Sequence, residues 1–129
     1  GHLAAGTSTG GMANKMDGRI GDSPLIGAGT YAKDGVAAVS CTGHGEYFIR
    51  LNIARDLIAR MEYLGLPVKS AAKAIIEVEL AELGGEGGLI AVGADGEIAL
   101  EFNTPGMFRA YRDTEGELKI KMFDAAGNE

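Results

Sequence analysis

Three acidic-glycine pairs, Asp34-Gly35, Asp95-Gly96 and Glu115-Gly116, each stand between two short apolar runs, and no other feature constrains the chain as much. Glycine takes the positive φ that a tight hairpin turn needs, and an acidic residue before it suits the same turn. Ala28 to Ala32 with Val36 to Thr42, Leu89 to Val92 with Ile98 to Phe102, and Met107 to Tyr111 with Leu118 to Phe123 therefore read as antiparallel strand pairs. His2 to Ser8, short and alanine-rich, reads as a further edge or hairpin strand that enters a loop at Thr9-Gly10-Gly11. Residues 9 to 26 are polar turn chemistry, and a loop of that length is usually functional or disordered.

Between the first and second strand pairs the apolar period changes. Ile49, Ile53, Leu57, Met61 and Leu64 recur at spacings of four, four, four and three, which predicts one helix from Glu46 that Gly65 ends, with Pro67 beyond it. Ser70 is expected to cap a second helix with the apolar face Ala72, Ile75, Ile76, Leu80 and Leu83, stopped by Gly84-Gly85. Strand pairs, two consecutive helices, then more strand pairs predict an α+β fold with an antiparallel sheet.

A chain of 129 residues is the size of one domain, and residues 1–129 are read as a single one. With 12 Lys+Arg against 18 Asp+Glu the net charge is -6, which argues against nucleic acid as a partner. No apolar run is long enough to span a membrane. Cys41 is the only cysteine, so there is no internal disulfide and no paired-cysteine metal pattern; a reducing compartment suits it, and a cytoplasmic location is the expectation.

Chemistry can sit in three places. Ser40 to Glu46 holds Gly43-His44-Gly45 where a strand ends and a helix begins, and unpaired N–H groups at a helix start can hold an anion or a developing oxyanion. A tight strand-to-helix turn without function is the competing reading. A dinucleotide-binding turn is excluded, because Phe48 occupies the third glycine position and hairpins surround the turn. Gly18 to Pro24 sets Arg19 and Asp22 three residues apart, a cation and an anion that match the zwitterionic end of an α-amino acid. The competing reading there is an ordinary solvated ion pair. Thr7-Ser8-Thr9 is a hydroxyl cluster with no histidine beside it. His2 and His44 are isolated and receive no catalytic role, and Cys41 reads as a small buried hydrophobe.

Taken together, Ala4 to Gly11, Asn14-Lys15, Gly18 to Pro24, Gly27 to Gly29, Val39 to Glu46, Gly88 to Val92 and Phe102 to Ala110 resemble the β-subunit of plant-type L-asparaginase/isoaspartyl peptidase. The resemblance implies an N-terminal-nucleophile hydrolase, with this chain forming half of an αββα sandwich and most of a β-subunit. Such enzymes are made as one precursor that cuts itself into α and β, and the freed N-terminal threonine of β attacks asparagine or a β-aspartyl peptide bond. It further implies that Arg19 binds the substrate α-carboxylate and Asp22 its α-ammonium. Thr42 and the Gly43 N–H would form the oxyanion hole, Gly45 would contribute a backbone contact to substrate, and Thr9 would support the nucleophile by hydrogen bonding. The expected partners are the α-subunit of the same precursor, in an (αβ)2 heterotetramer, and a small-molecule or dipeptide substrate. No metal or organic cofactor is expected for bond cleavage, since the nucleophile carries its own base. Thr7 is rejected as nucleophile because its surroundings match the family's supporting loop. The nucleophilic threonine is expected upstream of Gly1, and the 129 residues alone are expected to be inactive. The alternatives are a glycosylasparaginase-type hydrolase and a non-catalytic amino-acid-binding module.

Overall fold

In the computed structural model, which describes residues 2–123, the three acidic-glycine turns do what their chemistry demands. Gly35, Gly96 and Gly116 take φ of 78°, 86° and 83°. Each joins an antiparallel pair: β1 (Thr30–Lys33) with β2 (Ala37–Gly43), β3 (Gly87–Gly93) with β4 (Ile98–Phe102), and β5 (Arg109–Arg112) with β6 (Leu118–Lys121). β2 and β3 also pair antiparallel, from Ala37↔Gly93 to Gly43↔Gly87, which gives a four-stranded sheet in the order β1-β2-β3-β4. The β5–β6 hairpin forms a separate two-stranded sheet. Its ladder is shorter than the sequence reading, yet the Met107 N–H still donates to the Met122 carbonyl at 2.8 Å just outside it.

Side chains alternate across a strand, so β2 has two chemically different faces. Ala37, Val39 and Cys41 join Leu89, Ala91 and Ala99 in the core, against the helices. Ser40 and Thr42, one position out of step, stand on the other face beside Ile90 and Gly88. The helical layer is α1 (Gly45–Leu51), α2 (Ile53–Leu64) and α3 (Val68–Lys73), which continues as a π-helix over Ala74–Leu80. Phe48, Ile53, Leu57, Ile58, Ile75, Ile76 and Leu80 are fully buried there. Leu57→Ala removes most of a buried side chain between helix and sheet and is expected to cost about 2–5 kcal/mol, read from denaturant unfolding.

Three expectations need correction. The single helix from Glu46 is two, because Asn52 adopts the left-handed conformation at φ 51° and ψ 48°, closing α1 and opening α2. The break turns the apolar stripe: Ile49 and Leu64 are 39% and 68% exposed, while Phe48, Ala54 and Ile58 take their places in the core. The next helix starts after Pro67 rather than at Ser70, since proline's fixed φ suits a helix entrance and its missing N–H is no loss there. Its predicted face is buried at Ala72, Ile75, Ile76 and Leu80, whereas Leu83 is partly exposed near the Gly84 stop. Finally, His2 to Ser8 joins no ladder among the described residues. Its burial still alternates, with Leu3, Ala5 and Thr7 half-buried, as a strand's would. The Leu3 N–H donates to Asp34 at 2.7 Å and holds one end of the segment.

No helix among the described residues is long and apolar enough to cross a membrane.

Candidate active site

The loop that carries Asp22 is folded by its own backbone. The Leu25 and Gly29 N–H groups both donate to the Asp22 carbonyl, at 2.9 and 3.1 Å, and the Cys41 N–H of β2 donates to the Gly29 carbonyl at 2.9 Å. From the other side the start of α2 clamps it, with Arg55 N–H on the Gly27 carbonyl at 2.8 Å and Ala54 N–H on the Ala28 carbonyl at 3.2 Å. The helix break at Asn52 is what frees these donors, since the first N–H groups of a helix have no partner within it.

Two glycines make the space for the Asp22 side chain. A Cβ at Gly29 would stand 2.5 Å from the Asp22 carbonyl oxygen, and one at Gly45 would stand 2.8 Å from Asp22 Oδ1. Asp22 is 6% exposed, and its Oδ2 is buried with no hydrogen-bond partner among the described residues. Burial raises its pKa above the ordinary carboxylate value and outweighs the backbone N–H groups and Arg19, which favour the charged form; Glu46 adds to the rise. A buried carboxylate with an unsatisfied oxygen is a receptor for a cationic donor. A cation held there would need the carboxylate ionised, so affinity for a cationic donor is expected to fall as pH drops towards that raised pKa, with the loss beginning above the ordinary carboxylate range. A calorimetric pH series on the full-length protein measures this.

Arg19 is half-buried and bends back over Gly21, where a Cβ would stand 2.9 Å from its Nη1. Thr42 and Gly43 end β2. Gly43 has φ 145°, and a Cβ on it would stand 2.4 Å from the Glu86 carbonyl, so only glycine lets β2 and β3 meet this closely at Gly43↔Gly87. Gly43→Ala is expected to destabilise by about 2–4 kcal/mol through strain and overlap, measured as a lowered Tm. α1 is only seven residues long, so its positive end is weaker than that of the single helix expected from Glu46 to Gly65.

Thr9, Arg19, Asp22, Thr42 and Gly43 come together on one open cleft of about 840 Å³, with Met107 and Phe108 on its wall. Gly45 does not line it: the residue is buried and backs the Asp22 carboxylate. Thr9 Oγ1 accepts from the Gly11 N–H at 3.0 Å, and Lys15 Nζ donates to the Gly10 carbonyl at 2.8 Å, which fixes the loop carrying Thr9. Cys41 is buried, and burial together with the charge of Asp22 pushes its thiol pKa well up, which disfavours the thiolate. No cluster of three metal-ligating side chains occurs among the described residues.

Two residues that the sequence reading gave no supporting role brace this region. Thr7 Oγ1 donates to the Gly29 carbonyl at 3.1 Å and lies 2.7 Å from Ser40 Oγ, so it ties the N-terminal segment to β2 beneath the cleft. Asn103 accepts from the Gly87 N–H at 2.8 Å and donates to the Gly85 carbonyl at 2.9 Å, holding the turn that faces Gly43. No spacing pattern marks Asn103; the hydroxyl cluster and the alternation with Leu3 and Ala5 were the available signals for Thr7.

A family model described as asparaginase matches residues 1–122. The isoaspartyl peptidase of Salmonella typhimurium is 57% identical over 111 residues, covering 86% of this chain and 36% of that protein. The probable isoaspartyl peptidase/L-asparaginase 2 of Arabidopsis thaliana is 52% identical over 124 residues, covering 96% of this chain and 37% of its own length. The isoaspartyl peptidase/L-asparaginase of Mus musculus is 45% identical over 107 residues, 83% of this chain and 32% of the relative. The chain thus spans about a third of the length of the curated relatives it matches. A match that runs almost from end to end, together with identities this high, means that the chain belongs to the asparaginase family.

Proposed function

We propose that the protein containing this chain hydrolyses β-aspartyl (isoaspartyl) peptides and L-asparagine, and that this chain supplies the grip on the substrate α-groups and the oxyanion site. One observation carries the reading: Asp22, whose buried Oδ2 has no hydrogen-bond partner among the described residues, lines the same cleft as Arg19 and Thr42. Arg19 holds the α-carboxylate, Asp22 the α-ammonium, and the Thr42 hydroxyl with the Gly43 N–H stabilises the oxygen that turns anionic when the side-chain carbonyl is attacked. The nucleophile in this reading is an N-terminal threonine released by self-cleavage of a precursor, with Thr9 supporting it. Gly45 contributes by shaping the room around Asp22 and presents backbone to the bound substrate.

The partner is the remainder of the same precursor, an α-subunit that packs a second sheet on the face of β2 and β3 left without helices, where Ile90 is exposed. Burying such a face stabilises both pieces by removing apolar area from water. An (αβ)2 heterotetramer, a single-domain β-subunit and a cytoplasmic location complete the proposal; the one buried cysteine agrees with a reducing compartment.

Expression of the full-length protein tests this. Intact-mass measurement should find two fragments, the second starting at threonine, and the matured protein should release aspartate from a β-aspartyl dipeptide. A folded, cleaved protein that leaves such dipeptides intact would overturn the proposal in favour of a binding role.

A further inference from the structure

A second recess of about 370 Å³ opens next to Thr42 and Gly43, and His44 and Glu86 lie along it. It shares Thr42, Gly43, Met107 and Phe108 with the main cleft but includes neither Arg19 nor Asp22. Thr42 and Gly43 therefore stand between the residues that grip the α-groups and this second space. We propose that the recess receives the amino acid released from a β-aspartyl dipeptide, and that His44 holds its α-carboxylate. This rests on the reading of the protein as an isoaspartyl peptidase.

The geometry of the scissile amide leads here. Its carbonyl carbon bears the substrate Cβ on one side and the departing nitrogen on the other. With the α-groups at Arg19 and Asp22 and the carbonyl oxygen at Thr42 and Gly43, the departing nitrogen points past that pair, towards the recess. The amino acid attached to it carries an α-carboxylate two bonds from the nitrogen. Among the described residues lining the recess, His44 has the one side chain able to carry positive charge. His44 is half-buried at the bend between β2 and α1, its N–H is fixed on the Glu86 carbonyl at 3.0 Å, and its ring lies 6.3 Å from that of Tyr47. A ring N–H donating to a carboxylate is a charge-assisted bond, stronger than a neutral one. Met107 and Phe108 supply apolar wall for the side chain of the departing residue. The exposed Glu86 carboxylate at the rim repels an acidic one.

The test compares three substrates of the full-length protein: β-aspartyl-leucine, its C-terminal amide, and L-asparagine, whose leaving group has no carboxylate. His44→Ala should lower kcat/KM for β-aspartyl-leucine about tenfold more than for the amide or for asparagine, the low end for a hydrogen bond to a charged group at a half-exposed site. His44→Gln, which keeps an N–H donor, should recover part of that loss. Glu86→Gln should raise the rate on β-aspartyl-glutamate relative to β-aspartyl-leucine by about threefold. Equal losses on all three substrates, or none, would overturn the subsite. Should His44→Ala not fold, the unmutated protein still decides, since equal kcat/KM for the acid and the amide would also overturn it. Failure of the unmutated protein on both asparagine and the dipeptide would count instead against the hydrolase reading.

Discussion

Thr42→Val in the full-length protein is expected to lower kcat on β-aspartyl dipeptides by about 10²–10³-fold while KM changes little. Valine keeps the shape and the β-branch that suit the end of a strand, and removes only the hydroxyl. Thr42 is exposed on the cleft and is outside the core, so the loss should not come from unfolding. An oxyanion donor acts where negative charge develops, which is why kcat, not substrate binding, should report the change. Steady-state kinetics beside a thermal melt separate the two effects, and a large rise in KM with kcat intact would reassign Thr42 to ground-state binding.

Asp22→Ala should weaken binding of the substrate α-ammonium by about 2–5 kcal/mol, because it leaves a cation without its partner in a partly desolvated site. Arg19→Ala should act in the same direction but less, since Arg19 is half-buried and water would reach a carboxylate bound by it. Asp22 also predicts an opposite effect on stability. Its folded-state pKa lies above its ordinary value, so the protonated form is favoured by folding. The stability this group contributes is fully present below its unfolded pKa and is lost as pH rises through the folded one. At neutral pH without ligand, the ionised carboxylate therefore lowers stability, and Asp22→Asn should raise Tm while it weakens substrate binding. A fall in Tm for Asp22→Asn would show that Arg19 and the backbone donors outweigh burial.

How far these features could be read from sequence depends on whether the decisive chemistry is local. The acidic-glycine turns are local, and Gly35, Gly96 and Gly116 carry the positive φ that their positions required. The Arg19/Asp22 pair was visible as a charge pattern, and Thr42-Gly43 as the junction between a strand and a helix. What sets Asp22 apart from a solvated carboxylate is its burial, and that depends on Gly29 and Gly45, which are far from each other in sequence and adjacent to Asp22 in space. The helix break at Asn52 was hidden because the spacing of Ile49, Ile53 and Leu57 continues across it. Asparagine tolerates the left-handed conformation better than most residues, and here the carbonyls of Gly27 and Ala28 supply acceptors for the helix that restarts. The π-helical turns over Ala74–Leu80 likewise leave the apolar pattern almost unchanged. His2 to Ser8 has the alternation of a strand, but a ladder also needs a neighbour, and periodicity says nothing about neighbours.

The central claim is that Arg19 and Asp22 form one receptor for the two ends of an α-amino acid. Isothermal titration of the full-length protein with L-aspartate, the product of the proposed reaction, measures this most directly, with N-acetyl-L-aspartate as the comparison ligand and Asp22→Ala as the comparison protein. The account predicts binding of L-aspartate, loss of at least about thirtyfold in affinity when the amine is acetylated, and a similar loss in the variant. Equal affinity for the two ligands, or a variant that binds L-aspartate as tightly as the unmutated protein, would contradict it.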